Sequence, residues 1–132
     1  MLEGNVVLIV DDDPTLLEMY VARIRAEGAI VVEARDGEEA LEQVKTSKPN
    51  IVLLDIMMPK VNGFDVLKAI KADTETKDIP VIILSALNDA EKRNTGFEIG
   101  ASDYIAKSEA LPVDVVNKIK AILDKTSAEK AK

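Results

Sequence analysis

Polar side chains directly follow four apolar runs of this sequence: Asp11-Asp12-Asp13 after the run at 6–10, Asp55 after 51–54, Ser85 after 81–84 and Lys107 after 103–106. An apolar strand has no packing reason to end in polar groups, and four such coincidences are much less expected than one. For Asp13 alone, capping of a following helix is the better interpretation. We therefore treat the remaining residues as one candidate site.

The charges of this set predict a bound cation. If Asp11, Asp12 and Asp55 meet in one crevice they bring −3, of which Lys107 returns +1, so −2 remains. A divalent ion would balance it, and ligands that are all oxygen favour a hard ion such as Mg²⁺. A carboxylate nucleophile, a metal, a cationic side chain and a hydroxyl donor are the parts that phosphoryl transfer needs.

Composition excludes several other chemistries. The chain has no His and no Cys, which rules out Ser-His and Cys-His nucleophiles and a His/Cys zinc site within it. Its net charge is −7; residues 125–132 contribute three Lys and one Glu, so residues 1–124 carry −9. Because an acidic body repels phosphate backbones, we expect no direct nucleic-acid partner.

Short apolar runs alternate with helical patterns along the chain. Numbered in chain order, the predicted strands β1–β5 cover 6–10, 30–33, 51–54, 81–84 and 103–106. Helix α1 lies between Asp13 and Gly28, α2 covers about 37–46, α3 begins after Asn62-Gly63, α4 covers about 89–99 and α5 begins near Pro112. Runs without polar alternation indicate a sheet covered on both faces, hence a parallel one.

Five consecutive βα units predict an α/β fold. With right-handed crossovers they give a doubly wound, five-stranded parallel sheet, and the order 2-1-3-4-5 fits the element count best. In such a sheet the site lies beyond the carboxyl ends of the strands, at the switch point between β1 and β3. We expect one domain over residues 4–124 and a polar, frayed tail over 125–132.

The motifs together resemble response-regulator receiver domains, which have a flavodoxin-like (βα)5 fold. The resemblance covers about residues 4–124 and rests on these pieces, in order: Val-Leu-Ile-Val-Asp11-Asp12-Asp13-Pro14, Leu-Leu-Asp55-Ile-Met-Met-Pro59, Asn62-Gly63, Ile-Leu-Ser85-Ala86 and Gly100-Ala-Ser-Asp103-Tyr104-Ile-Ala-Lys107. Each piece is weak alone, and their order and separations carry the resemblance.

The resemblance implies a role for each matching position. Asp55 would be the phosphoacceptor, not an enzyme's turnover nucleophile, and Lys107 would pair with a phosphoryl oxygen. Asp11, Asp12 and Asp55 would hold Mg²⁺ together with the Met57 carbonyl. Ser85 would bond the phosphoryl group and Tyr104 would follow it, reshaping the α4-β5-α5 face for self-association or an effector. The phosphoryl donor would be a histidine kinase or a histidine phosphotransfer protein.

The sequence departs from the family after Lys107, where Ser108 replaces the usual proline and its common cis peptide. A non-proline cis bond costs about 3 kcal/mol, so we expect a trans bond here, which leaves the aim of Lys107 open. Two apolar residues, Met57 and Leu87, are placed by the resemblance beside the phosphoryl group. They can cover it but cannot orient a water, which predicts slow autodephosphorylation.

Two other functions fit parts of the pattern. Asp11 and Asp13 match the paired aspartates of haloacid-dehalogenase-type phosphatases, in which Asp11 would be the nucleophile; no late strand supplies their acidic pair. A pseudo-receiver adaptor that never takes phosphate is the second alternative. We expect a cytoplasmic protein without a membrane partner, because no apolar run approaches the ~18 residues of a membrane helix and the first residues lack a signal-peptide pattern.

Overall fold

The computed structural model describes residues 2–57, 62–86, 90–108 and 110–130, with the side chains of Leu16 and of residues 126–130 left aside. Met58, Pro59 and Leu87, which the sequence analysis named, lie outside these residues, as does Asp89, the expected start of α4. The observed strands are β1 Val6–Val10, β2 Ile30–Ala34, β3 Ile51–Leu54, β4 Val81–Ser85 and β5 Asp103–Ala106. The helices are α1 Pro14–Ala26, α2 Gly37–Ser47, α3 Gly63–Ala72, α4 Ala90–Ile99 and α5 Pro112–Lys130.

The five strands form one parallel sheet in the order β2-β1-β3-β4-β5, which confirms the predicted fold class. The register pairs Val10 with Leu54 at the carboxyl ends of β1 and β3. It also pairs Ser85 with Ala106 at the ends of β4 and β5. The residues that follow these ends are therefore delivered to one edge of the sheet.

Both faces of the sheet are buried. Successive strand residues point to opposite sides, so each strand contributes to two core layers. Val7, Ile9 and Leu53 face one core layer, which α1 and α5 complete. Leu8, Val10 and Val52 face the second layer, which includes residues of α2 and α3. This two-sided burial explains why the strands read as continuous apolar runs rather than alternating ones.

Local signals fix the helix ends near the site. The Asp13 carboxylate accepts a hydrogen bond from the Thr15 amide at 3.0 Å, as expected for a cap on α1. Asn62 caps α3 by accepting from Phe64 at 2.8 Å. A Cβ on Gly63 would lie 2.3 Å from the Ile56 Cα, so only glycine lets α3 begin this close to the chain that follows β3.

The last helix is longer than predicted. We expected a frayed tail from residue 125, whereas α5 continues to Lys130. This segment is polar, but its Lys, Ala and Glu residues have high helix propensity and so favour continuation of the helix. In the described part of the chain no helix is both long and apolar enough to span a bilayer.

Candidate functional site

Adjacent strand ends bring the two buried carboxylates of the site together. Asp11 follows β1 and Asp55 follows β3, and the Asp55 amide donates to the Val10 carbonyl at 2.9 Å. Asp11 is 2% exposed and Asp55 4% exposed, whereas Asp12 faces solvent. Burying two carboxylates is costly unless they are paired, so a partner is required in the same crevice.

Lys107 supplies that partner from the end of β5. Its Nζ lies 2.7 Å from Asp11 Oδ2 and 3.3 Å from Asp55 Oδ2. No described peptide bond is cis, so Ser108 continues the chain in the trans form, as expected. Ser108 in place of proline therefore does not turn Lys107 away from the carboxylates. The side chain of Lys107 is only 11% exposed, which protects both ion pairs from screening.

The surroundings of Asp55 penalise its charge. Burial raises the pKa of the Asp55 carboxyl, and the neighbouring Asp11 charge raises it further. The Met57 amide, which donates to Asp55 Oδ1 at 3.0 Å, and the Lys107 ammonium lower the pKa but do not cancel the effect of burial. An additional cation beside Asp55 would favour its ionised, nucleophilic form.

Lys107 stays cationic in this crevice. Burial alone lowers the pKa of a lysine, but the Asp11 and Asp55 carboxylates outweigh it and hold the pKa of Lys107 above its ordinary value of 10.5. The charge expected from the sequence is thus available to neutralise an oxyanion at the crevice.

The three predicted carboxylates form a cluster that can hold a metal ion. Asp11, Asp12 and Asp55 each offer an oxygen, and these oxygens lie within 4.8 Å of one another. The donor set is entirely carboxylate, which suits a hard divalent ion.

The remaining predicted residues differ in their environments. Ser85 is the last residue of β4, whereas the sequence predicted it as the first residue after the strand. It is fully buried, and its carbonyl accepts a hydrogen bond from the Lys107 amide at 2.8 Å. Tyr104 is only 3% exposed, so its side chain is buried. Met57 is 57% exposed, so its side chain lies at the surface.

Two residues that interact with predicted site residues were not themselves predicted. Tyr20 on α1 is buried, and burial raises the pKa of its hydroxyl while the charges of Lys107 and Asp11 also act on it. Tyr20 lies one helical turn before Ile24, a spacing typical of a core face, and its phenol is the only sequence sign of another role. Arg93 on α4 packs over the Tyr104 ring, 5.1 Å from its centroid. No sequence pattern within α4 predicts that contact.

A model of the response regulator receiver domain matches residues 7–120 of this chain. The chain belongs to the response regulator receiver family. The solved receiver domain protein (CheY-like) of Methanospirillum hungatei is 29% identical with a TM-score of 0.87, over 98% of this chain and 99% of that one. Receivers are phosphoacceptors rather than enzymes in the usual sense, and the resemblance inferred from the motifs is confirmed.

Curated relatives are longer proteins with named outputs. The "DNA-binding response regulator MtrA" of Mycolicibacterium smegmatis is 38% identical over 125 residues, which are 95% of this chain and 53% of that protein. The "Phosphate regulon transcriptional regulatory protein PhoB" of Pseudomonas aeruginosa is 35% identical over 123 residues, 93% of this chain and 53% of that protein. The chain thus spans about half the length of these relatives.

These names contradict the expectation that nucleic acid is not a partner. That expectation rested on the net charge of −9 over residues 1–124. The charge of a receiver domain bears only on the surface of that domain and leaves DNA binding by another part of a longer regulator unaffected. MtrA is named as DNA-binding, so the inference from charge to partners was wrong.

Proposed function

We propose that Asp55 accepts a phosphoryl group from a histidine kinase or a histidine phosphotransfer protein, with Mg²⁺ held by Asp11, Asp12, Asp55 and the Met57 carbonyl. The observation that carries this proposal is the crevice itself, in which three carboxylate oxygens lie within 4.8 Å of one another. Lys107 contacts two of these carboxylates at 2.7 and 3.3 Å. The cluster has no evident structural purpose, because the burial of Asp55 disfavours its charge.

Each of the proposed site residues has a defined task in this transfer. A carboxylate oxygen of Asp55 forms the new bond to phosphorus while the bond from phosphorus to the donor nitrogen breaks, and the electron pair leaves with that nitrogen. The Met57 amide orients the carboxylate through its bond to Oδ1. Lys107 would stabilise negative charge on a phosphoryl oxygen, and the Ser85 hydroxyl would donate to another. When bound, Mg²⁺ would neutralise the equatorial oxygens.

Transfer to Asp55 would change a face of the domain that lies on α4, β5 and α5. Ser85 and Tyr104 would couple the phosphoryl group to the α4-β5-α5 face, which then favours self-association or an effector. Because the MtrA relative is named as DNA-binding, we propose that the effector step controls a DNA-binding protein. A cytoplasmic location, which the absence of cysteine favours, belongs to the same proposal.

A small phosphodonor tests the proposal without knowledge of the kinase. Acetyl phosphate with Mg²⁺ should add one phosphoryl group to the protein, measured by intact mass. Asp55→Asn should not be labelled, whereas Asp124→Asn, which removes an exposed carboxylate on α5, should label like wild type. Equal labelling of the Asp55 variant, or no labelling of wild type under conditions that label a known receiver, would refute the proposal.

A further inference from the structure

Helix α4 is attached to the sheet differently from the other helices. Gly96 is the one buried residue of Ala90–Ile99, and Phe97 is 43% exposed. By contrast, α3 buries Val66, Leu67 and Ile70. Burial of large apolar side chains is the main term that holds a helix to a sheet. Among the described residues, α4 supplies only the partly buried Ile99 to the core, so its other contacts matter more than they do for α3.

Gly96 provides the first of these contacts by letting the helix lie directly on the sheet. A Cβ on Gly96 would be 2.5 Å from Cδ1 of Ile83 on β4, so any other residue here would require the end of the Ile83 side chain to move. The same position is 3.7 Å from a ring carbon of Tyr104. The backbone of α4 therefore borders the space in which the Tyr104 ring is buried.

Arg93 provides the second contact, from the same side of the helix. Residues three apart are neighbours on a helix surface, so Arg93 lies beside Gly96. Its guanidinium is centred 5.1 Å from the Tyr104 ring centroid, within the range of a cation–π interaction. Its Nη1 also approaches the Tyr104 carbonyl at 3.5 Å, the outer limit of a hydrogen bond.

We propose that Arg93 is a positioning residue for Tyr104, and that the Arg93–Tyr104 contact is the latch that holds α4 on the sheet. The Tyr104 ring packs against both Arg93 and Gly96, so it cannot leave the core without breaking the cation–π contact. Departure of the ring and loosening of α4 are then a single event. The latch itself does not depend on Asp55. That phosphorylation would shift the equilibrium between its closed and open states rests on the proposed function.

Amide hydrogen exchange on the full, unphosphorylated chain tests the latch. Arg93→Gln and Tyr104→Leu should each speed exchange of the α4 amides about tenfold while leaving α3 unchanged, because a cation–π contact of this kind stabilises by about that factor. Tyr104→Phe keeps the ring and should behave like wild type. Lys68→Gln removes a charge from an exposed position on α3 and is the matched control for charge loss.

The double variant separates a latch from two unrelated losses. If Arg93 and Tyr104 act through one contact, Arg93→Gln with Tyr104→Leu should exchange no faster than the quicker single variant. In Arg93→Gln the nuclear Overhauser contact between the Tyr104 ring and the Gly96 α-protons should also weaken. Effects that multiply in the double variant, or α4 exchange unchanged by Arg93→Gln, would overturn the proposal. Since no phosphodonor is present, that failure would leave the assignment of Asp55 untouched.

Discussion

Replacing Asp55 with asparagine should stabilise the metal-free protein at neutral pH. The carboxylate is 4% exposed, and its electrostatic partners nearly cancel. At an effective dielectric constant of ~20, the Lys107 ammonium at 3.3 Å attracts it by ~5 kcal/mol. The Asp11 oxygen, within 4.8 Å, repels it by at least ~3.5 kcal/mol. Exposed Asp12 adds a smaller, screened repulsion, so the cost of burying the ion decides the sign.

That burial cost is several kcal/mol per ion, of which the small remaining attraction recovers a part. The asparagine keeps the shape and can still accept from the Met57 amide. We therefore expect a net gain of about 1–2 kcal/mol, or roughly 5 °C in Tm for a chain of this size. Thermal melting in a chelator, with Asp124→Asn as the control, measures it.

The effect should depend on pH in a defined direction. Because burial raises the pKa of Asp55 above its ordinary value of 3.8, the folded wild type binds this proton more tightly than the unfolded chain. Between 3.8 and the raised pKa, this group lowers the free energy of unfolding as pH rises. The advantage of Asp55→Asn should thus be complete above the raised pKa and vanish below 3.8. A variant no more stable than wild type at neutral pH would refute the reasoning.

Three further predictions follow from the same crevice. Asp12→Ala should abolish most of the rise in Tm that Mg²⁺ gives wild type, because a ligand of the folded state is lost; an unchanged rise would exclude Asp12 from the site. Gly63→Ala should cost about 3 kcal/mol in urea unfolding, because its Cβ would lie 2.3 Å from the Ile56 Cα; wild-type stability would show that α3 can shift freely. Met57→Asn, tested after labelling, should shorten the lifetime of the phosphoryl group, because a polar side chain at this exposed position can orient water. Decay at the wild-type rate would show that Met57 does not control water access.

The sequence was sufficient for the parts of the site that depend on strand ends. Asp11 and Asp55 each follow a continuous apolar run, and the topology of a doubly wound sheet then places them side by side. Asp13 as a helix cap and Gly63 after Asn62 could likewise be read from local rules. These features depend on neighbouring residues in the chain or on a topology that few alternatives satisfy.

Other features depend on contacts between distant elements and could not be read from the sequence. The direction of the Lys107 side chain depends on the path of the chain at Ser108, which no local rule specifies. The packing of Arg93 over Tyr104 requires the spacing between α4 and β5. The extension of α5 to Lys130 was missed because polarity was taken as a sign of fraying. The error about nucleic acid arose because the surface charge of a receiver domain was taken as evidence about all partners.

The position of the phosphoryl group tests the central claim most directly. The protein labelled by acetyl phosphate and Mg²⁺ is reduced with borohydride, which converts the labile aspartyl phosphate to homoserine and releases phosphate. Its peptides are then mapped by mass spectrometry. The account predicts a single modified residue, Asp55. Modification of Asp11 instead would favour the phosphatase-like chemistry and contradict the account, as would a label distributed over exposed carboxylates.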